Sequence, residues 1–248
     1  MNNFYFNLLD RNNRLLVQEI EEIIGSEIEI KVDVARINKL GCEVDKDGAT
    51  ILLPKEDYFP NSSAYHELLH IRRFCVHKIP RILACENFNG WNSKLSSALI
   101  SLDNDIEHFI IVPEEIKQYK MRNSYWENKV ENILVNYDSL GLIKDDQERR
   151  VLINWAFVHH VFSCKELIDK ANTAINNLCI VDRTYQFIEE VVQALDKKEI
   201  LTQVFFKHLK IPIDAGSLEY LDCINNTSYE IQLKEVQQNQ YSRSLRSG

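Results

Sequence analysis

Glycine and proline are scarce in this chain, 7 and 5 of 248 residues. So few turn formers exclude a loop-rich or many-stranded fold and point to a mostly helical chain. No run approaches the roughly 18 apolar residues of a membrane span. The opening Met1-Asn2-Asn3-Phe4 lacks the basic segment and apolar stretch of a secretory leader. A basic excess is missing too: 29 Lys and Arg against 37 Asp and Glu leave a net charge of −8, which argues against a general nucleic-acid binder. The six cysteines (Cys42, Cys75, Cys85, Cys164, Cys179, Cys223) are scattered with no C-x-x-C pair and read as reduced, mostly buried thiols. The expectation is a cytoplasmic protein with neither a membrane nor a nucleic-acid partner. Hydrophobic residues at 45% suffice for a sizeable core in one large domain or two closely joined ones.

The first quarter of the chain mixes both periodicities. Leu15, Leu16, Ile20, Ile23 and Ile24 recur at helical spacing ahead of Gly25, a helix stop. Ile28, Ile30, Val32 and Val34 alternate with charged residues as a half-buried strand would. Cys42–Asp45 and Ala49–Leu53 flank Asp47-Gly48, a hairpin signal. From Trp91 onward the pattern is helical. Leu95 to Ile110 predicts a helix closed by Pro113; further helices follow around Trp126–Tyr137, Val151–Phe162, Phe187–Leu195 and Leu201–Leu209, with a short one at 228–238.

Between these two parts stands His66-Glu67-Leu68-Leu69-His70. Ser62 and Ser63 are suitable N-caps, and Ala64, Leu68, Ile71 and Cys75 form an apolar stripe at 3-4-3-4 spacing, so the pentapeptide lies in an amphipathic helix. Residues four apart share a helix face, so both imidazoles can reach one metal ion. Glu67 projects about 100° round the helix, beside the open side of that metal. Two nitrogen ligands, a vacant position and an adjacent carboxylate are what zinc-assisted hydrolysis requires. The competing reading is a helix with two incidental histidines and a solvated Glu. Arg72, Arg73, Lys78 and Arg81, just beyond, read either as a solvated helix end or as a surface for an acidic partner.

The motif resembles that of the zincin metallopeptidases, and the order helix, strand, hairpin, metal helix is similar to their catalytic domains. That resemblance implies an α+β fold, a small zincin-like sheet packed on the HExxH helix and followed by a mostly helical C-terminal part. It also implies that Ala49–Leu53 is the edge strand that aligns an extended substrate. The expected organisation is a core over 1–113, a helical part packed on it over 114–235, and a disordered tail over 236–248. A catalytic zinc needs a third protein ligand. Arg73 and Val76 occupy the positions that would be Gly and His in the metzincin pattern, and His77 lies about 10 Å beyond His70 along the helix, so neither route supplies it. A gluzincin-like ligand from the next helix would be Glu107, with Asp103 as its rival, and with Asp103 and His108 otherwise supporting the ligands or meeting the substrate. The layout also resembles the ImmA/IrrE-like peptidases through Phe109-Ile110-Ile111-Val112-Pro113, without their E-A-N signature; Asp103-Asn104 is the nearest equivalent.

The resemblance implies a zinc endopeptidase acting on a specific protein or peptide substrate in bacterial regulation, stress or mobile-element control. Glu67 would be the general base, and His108, Tyr65, Tyr58, Tyr119 or His159/His160 the donor to the oxyanion. The alternatives from another class are a metal-binding pseudopeptidase or a helical scaffold that regulates a partner by binding it.

Overall fold

The sparing use of Gly and Pro yields an α+β chain in which helices predominate, with two three-stranded sheets among the described residues. The computed structural model describes residues 1–139 and 143–236; the expected disordered tail, Val236 apart, lies outside them. The chain divides into two compact units, Met1–Leu83 with Ser217–Glu235, and Ala84–Gly216. The division therefore falls ahead of the boundary expected at 113, and a late segment returns to the first unit.

In the first unit, α1 (Asn3–Leu8) leads into α2 (Arg11–Ile24). The Asp10 carboxylate caps α2 by accepting from the Asn13 N–H, and Gly25 ends it in the left-handed region at φ 71°. The stripe buried by α2 is Asn13, Leu16, Val17, Ile20 and Ile24; Leu15 and Ile23 face solvent. β1 (Glu29–Val32), β2 (Gly41–Asp45) and β3 (Gly48–Leu53) form a sheet of order β1-β3-β2. The hairpin is as expected: Asp45 pairs with Gly48, and the Asp45 carboxylate accepts from the backbone of Asp47 and Gly48. Two expectations fail here. β3 is the central strand rather than the edge, because β1 pairs with it in parallel on the side away from β2. β1 is also more exposed than its alternation suggests, since Ile28 is buried but Val32 and Val34 are not.

The outer side of β2 is the relevant edge. Its outward carbonyls at Leu40 and Val44 accept from Arg36 and Arg81, which by alternation leaves Cys42 as the residue between them with outward backbone groups. β4 (Arg81–Ala84), β5 (Gly216–Asp222) and β6 (Thr227–Gln232) make the second sheet. Of the segment expected as a short helix over 228–238, residues 228–232 belong to β6 and 233–236 are helical. β6 buries no residue, and the buried residues of β5 (Gly216, Ser217, Leu218 and Leu221) do not alternate, so no periodicity reveals either strand; Arg81–Glu219 and Lys78–Asp222 ion pairs hold β5 to the first unit. Arg81 and Lys78 are therefore occupied within the fold, which removes half of the basic cluster read from the sequence.

The second unit holds α4 (Ser93–Gln118), α5 (Arg122–Asn136), α6 (Lys144–Val161), α7 (Lys165–Asn177), α8 (Thr184–Ala194) and α9 (Lys198–His208). Pro113 does not close α4; it sits inside it. A proline there removes the N–H that would bond the Phe109 carbonyl one turn back, and the imidazole Nε2 of His160 on α6 lies 3.0 Å from that carbonyl. Burial lowers the His160 pKa, against the opposing effect of this bond, so the ring is neutral at pH 7 and its Nε2–H donates. One half-buried histidine thus repairs the helix that proline would interrupt.

His160→Ala is expected to cost about 1–3 kcal/mol of unfolding free energy in urea titrations, the usual penalty for an orphaned buried acceptor. In a Pro113→Ala background, where the helix regains its own donor, the cost should shrink; an equal cost in both backgrounds would refute the account. Because the folded pKa of His160 is depressed, its contribution is present above the unfolded value of 6.5 and declines as pH falls below it.

Candidate functional site

The HExxH segment lies on α3 (Asn61–Ile71). The helix starts one residue ahead of the serines expected to cap it. Pro60 takes the cap position without a side-chain bond, and the Asn61 side chain instead ties the start to the α1–α2 corner, accepting from the Asp10 N–H and from Asn13 Nδ2. The predicted stripe of Ala64, Leu68, Ile71 and Cys75 is buried throughout. Tyr65 and Leu69 are buried as well, so α3, packed on α2 and β2, is a core helix rather than a half-exposed one. Each fully buried aliphatic side chain contributes about 1.5–3 kcal/mol, which fixes the rotation of α3 and hence the direction of its histidines. Past Ile71 the helix widens into a π turn, Arg72–Val76, closed by the His77 N–H on the Arg72 carbonyl at 3.0 Å. His77 is exposed beyond it, consistent with its exclusion as a ligand.

His66 and His70 come together as the four-residue spacing predicts. Both are buried, their ring centroids are 5.0 Å apart, and a ligand nitrogen of each lies within 4.8 Å of the other. Tetrahedral zinc with bonds of about 2.0–2.1 Å holds nitrogens roughly 3.3 Å apart, so small ring rotations bring this pair to the required span. His70 also stacks on Phe74 at 6.4 Å. Glu67, half-buried, meets a residue that sequence reading left among the scattered thiols: Cys42 on β2 hydrogen-bonds its carboxylate. Burial, followed by the negative charge of Glu67, pushes the Cys42 thiol well above its ordinary value, so it stays protonated and acts as the donor.

The other residues singled out from the sequence lie on α4 in the second unit. Asp103, Glu107 and His108 are all buried. Asp103 and Glu107 come together on one ammonium: Lys198 Nζ, at the start of α9, lies 2.7 Å from Asp103 Oδ1 and 2.6 Å from Glu107 Oε1. Burial alone would lower the Lys198 pKa, but the two carboxylates, Asp103 first, more than offset it, and the net shift is upward. Lys198 is therefore charged throughout the physiological range. No sequence signal marks it, since Asp196-Lys197-Lys198-Glu199 reads as an exposed charged run. The His108 ring packs edge-on against Trp126 at 4.8 Å. Trp126 Nε1 in turn donates to the buried Glu115 at 2.8 Å, and Arg122 bridges the same carboxylate.

Several candidate oxyanion donors have their groups committed. The Tyr58 hydroxyl donates to the Asn38 carbonyl at 2.9 Å, His160 serves Phe109, and His159 is exposed, beside Asn172 and Trp155. Tyr65 is buried and Tyr119 half-buried.

Lys198→Met should destabilise the protein by about 3–5 kcal/mol, because it leaves two carboxylates buried without their counter-charge. Thermal and urea unfolding would register the loss. A change under about 1 kcal/mol would mean that the buried ion triad is not the anchor described here.

Comparison of the chain with known protein families, with curated proteins and with solved structures finds no match.

Proposed function

We propose that the chain is a zinc-dependent endopeptidase with a narrow protein or peptide substrate range, and that His66, His70 and His108 are its three metal ligands. The observation that carries this reading is the pair of buried imidazoles one turn apart on α3, with a carboxylate at the intervening Glu67. The choice of His108 over Glu107 rests on Lys198. Both acidic candidates on α4 already share a buried ammonium, and withdrawing either from it would cost several kcal/mol, whereas His108 brings a nitrogen that needs no counter-charge. Three histidines also form a known catalytic zinc set.

Zinc held there would lower the pKa of a bound water toward about 7 and polarise a peptide carbonyl. Glu67 takes the water proton on its carboxylate and passes it to the leaving amine nitrogen. The Cys42 thiol, donating to that carboxylate, keeps it oriented. β2 supplies the edge along which an extended peptide aligns, at Cys42 between the two arginine-capped carbonyls.

Elemental analysis of protein purified without a histidine tag should find about one zinc per chain, lost in His66→Ala, His70→Ala and His108→Ala but kept in Glu107→Gln and Glu67→Gln. Against a peptide library read by mass spectrometry, Glu67→Gln should cut turnover at least ~100-fold, the scale of a lost general base. Zinc lost with Glu107→Gln but kept with His108→Ala would return the third ligand to Glu107. Absence of zinc after reconstitution would overturn the metallopeptidase reading and leave the partner-binding scaffold.

A further inference from the structure

Two cysteines come together in the first unit although 148 positions separate them in the chain. Cys75 stands on the π turn that follows α3, and Cys223 lies just past β5, in the turn before β6. Both residues are buried and carry free thiols, and their sulfurs are 3.1 Å apart. A disulfide holds its sulfurs at about 2.05 Å, so closing this pair asks them to approach by only roughly 1 Å.

The two thiols differ in their surroundings. Cys223 also lies 3.4 Å from the Asp45 carbonyl at the end of β2, which accepts its hydrogen. The bond between the two sulfurs, and after it burial, pushes the Cys75 thiol far above its ordinary value, while the same bond lowers that of Cys223. Cys75 therefore keeps its proton and donates it to Cys223, the arrangement that favours a neighbouring thiolate. The turn carrying Cys223 is exposed from Ile224 to Glu230, so a small oxidant has only a short surface segment to displace. Cys42 is close enough for its charge to act on Cys75, but its own thiol is held by Glu67.

We propose that Cys75 and Cys223 form a reversible redox site that takes hydrogen peroxide as oxidant and, once closed, staples the C-terminal hairpin to the end of the HExxH helix. The Cys223 thiolate attacks one peroxide oxygen. The O–O bond breaks, and the departing hydroxide takes up the proton released by Cys223 as the first water, leaving a sulfenic acid. The Cys75 sulfur then attacks the Cys223 sulfur. The S–O bond breaks, and the hydroxyl leaves with the Cys75 proton as a second water. Two electrons pass from the dithiol to the peroxide, and a dithiol reductant returns them by thiol–disulfide exchange. Closing so long a loop restricts the unfolded chain, so the oxidised form melts higher. The inference concerns the first unit alone and does not rest on the metal or on catalysis.

The test is treatment of the full chain with a few equivalents of hydrogen peroxide, followed by blocking of free thiols, peptide mapping by mass spectrometry and thermal melting. A Cys75–Cys223 disulfide is expected, with a melting temperature higher by about 5 °C or more. Dithiothreitol should reverse both changes, and Cys223→Ser should abolish both. Cys75→Ser should leave Cys223 as a sulfenic acid that dimedone captures. Three results on the wild-type chain, independent of how either variant folds, would each overturn the proposal. They are a disulfide to Cys42, a pair still reduced when the exposed Cys179 is oxidised, and an oxidised form that melts no higher than the reduced one.

Discussion

The chemistry available on α4 is set by one buried ammonium. Lys198 enters the helical unit from the start of α9 and takes Asp103 and Glu107 together. A lone lysine at that depth would be expelled or neutralised, and two lone carboxylates likewise. Together they are stable, with one negative charge in excess. The consequence is that the acidic residues most attractive as metal ligands from their spacing are already engaged in holding two helices together. What α4 then offers a metal is an imidazole.

In the other unit the constraint is the rotation of α3. Ala64, Leu68, Ile71 and Cys75 bury one stripe, Tyr65 and Leu69 extend it, and His66 and His70 are carried to a common face as a result. The π turn that follows is a departure of the sort often kept at functional positions. β2 contributes twice: its backbone is the sheet edge, and its Cys42 thiol orients Glu67. The Cys75 and Cys223 sulfurs, 3.1 Å apart, bring the C-terminal hairpin against this same helix end.

The sequence was most legible where a single element carries its own pattern. The Gly25 stop of α2, the β2–β3 hairpin, the buried stripe of α3 and the His66–His70 pairing all follow from local spacing. It misled where a distant residue supplies what the local pattern lacks. Pro113 predicts a helix end, but His160, 47 positions later, replaces the missing donor. The Lys198 ammonium beside Glu107 is likewise absent from the local pattern, since no periodicity in 196–199 announces a buried charge. The strand order β1-β3-β2 depends on a parallel pairing between β1 and β3, and of the C-terminal strands β6 buries no residue while the buried residues of β5 do not alternate.

The central claim is a metal bound by three imidazoles, and zinc X-ray absorption on the reconstituted protein addresses it most directly. The account predicts a first shell of three imidazole nitrogens at about 2.0–2.1 Å and one oxygen from water, with the imidazole scattering reduced in His108→Ala. A shell of two imidazoles with carboxylate oxygen, unchanged by His108→Ala, would contradict the ligand assignment; a shell of water and buffer alone would contradict the metal site itself.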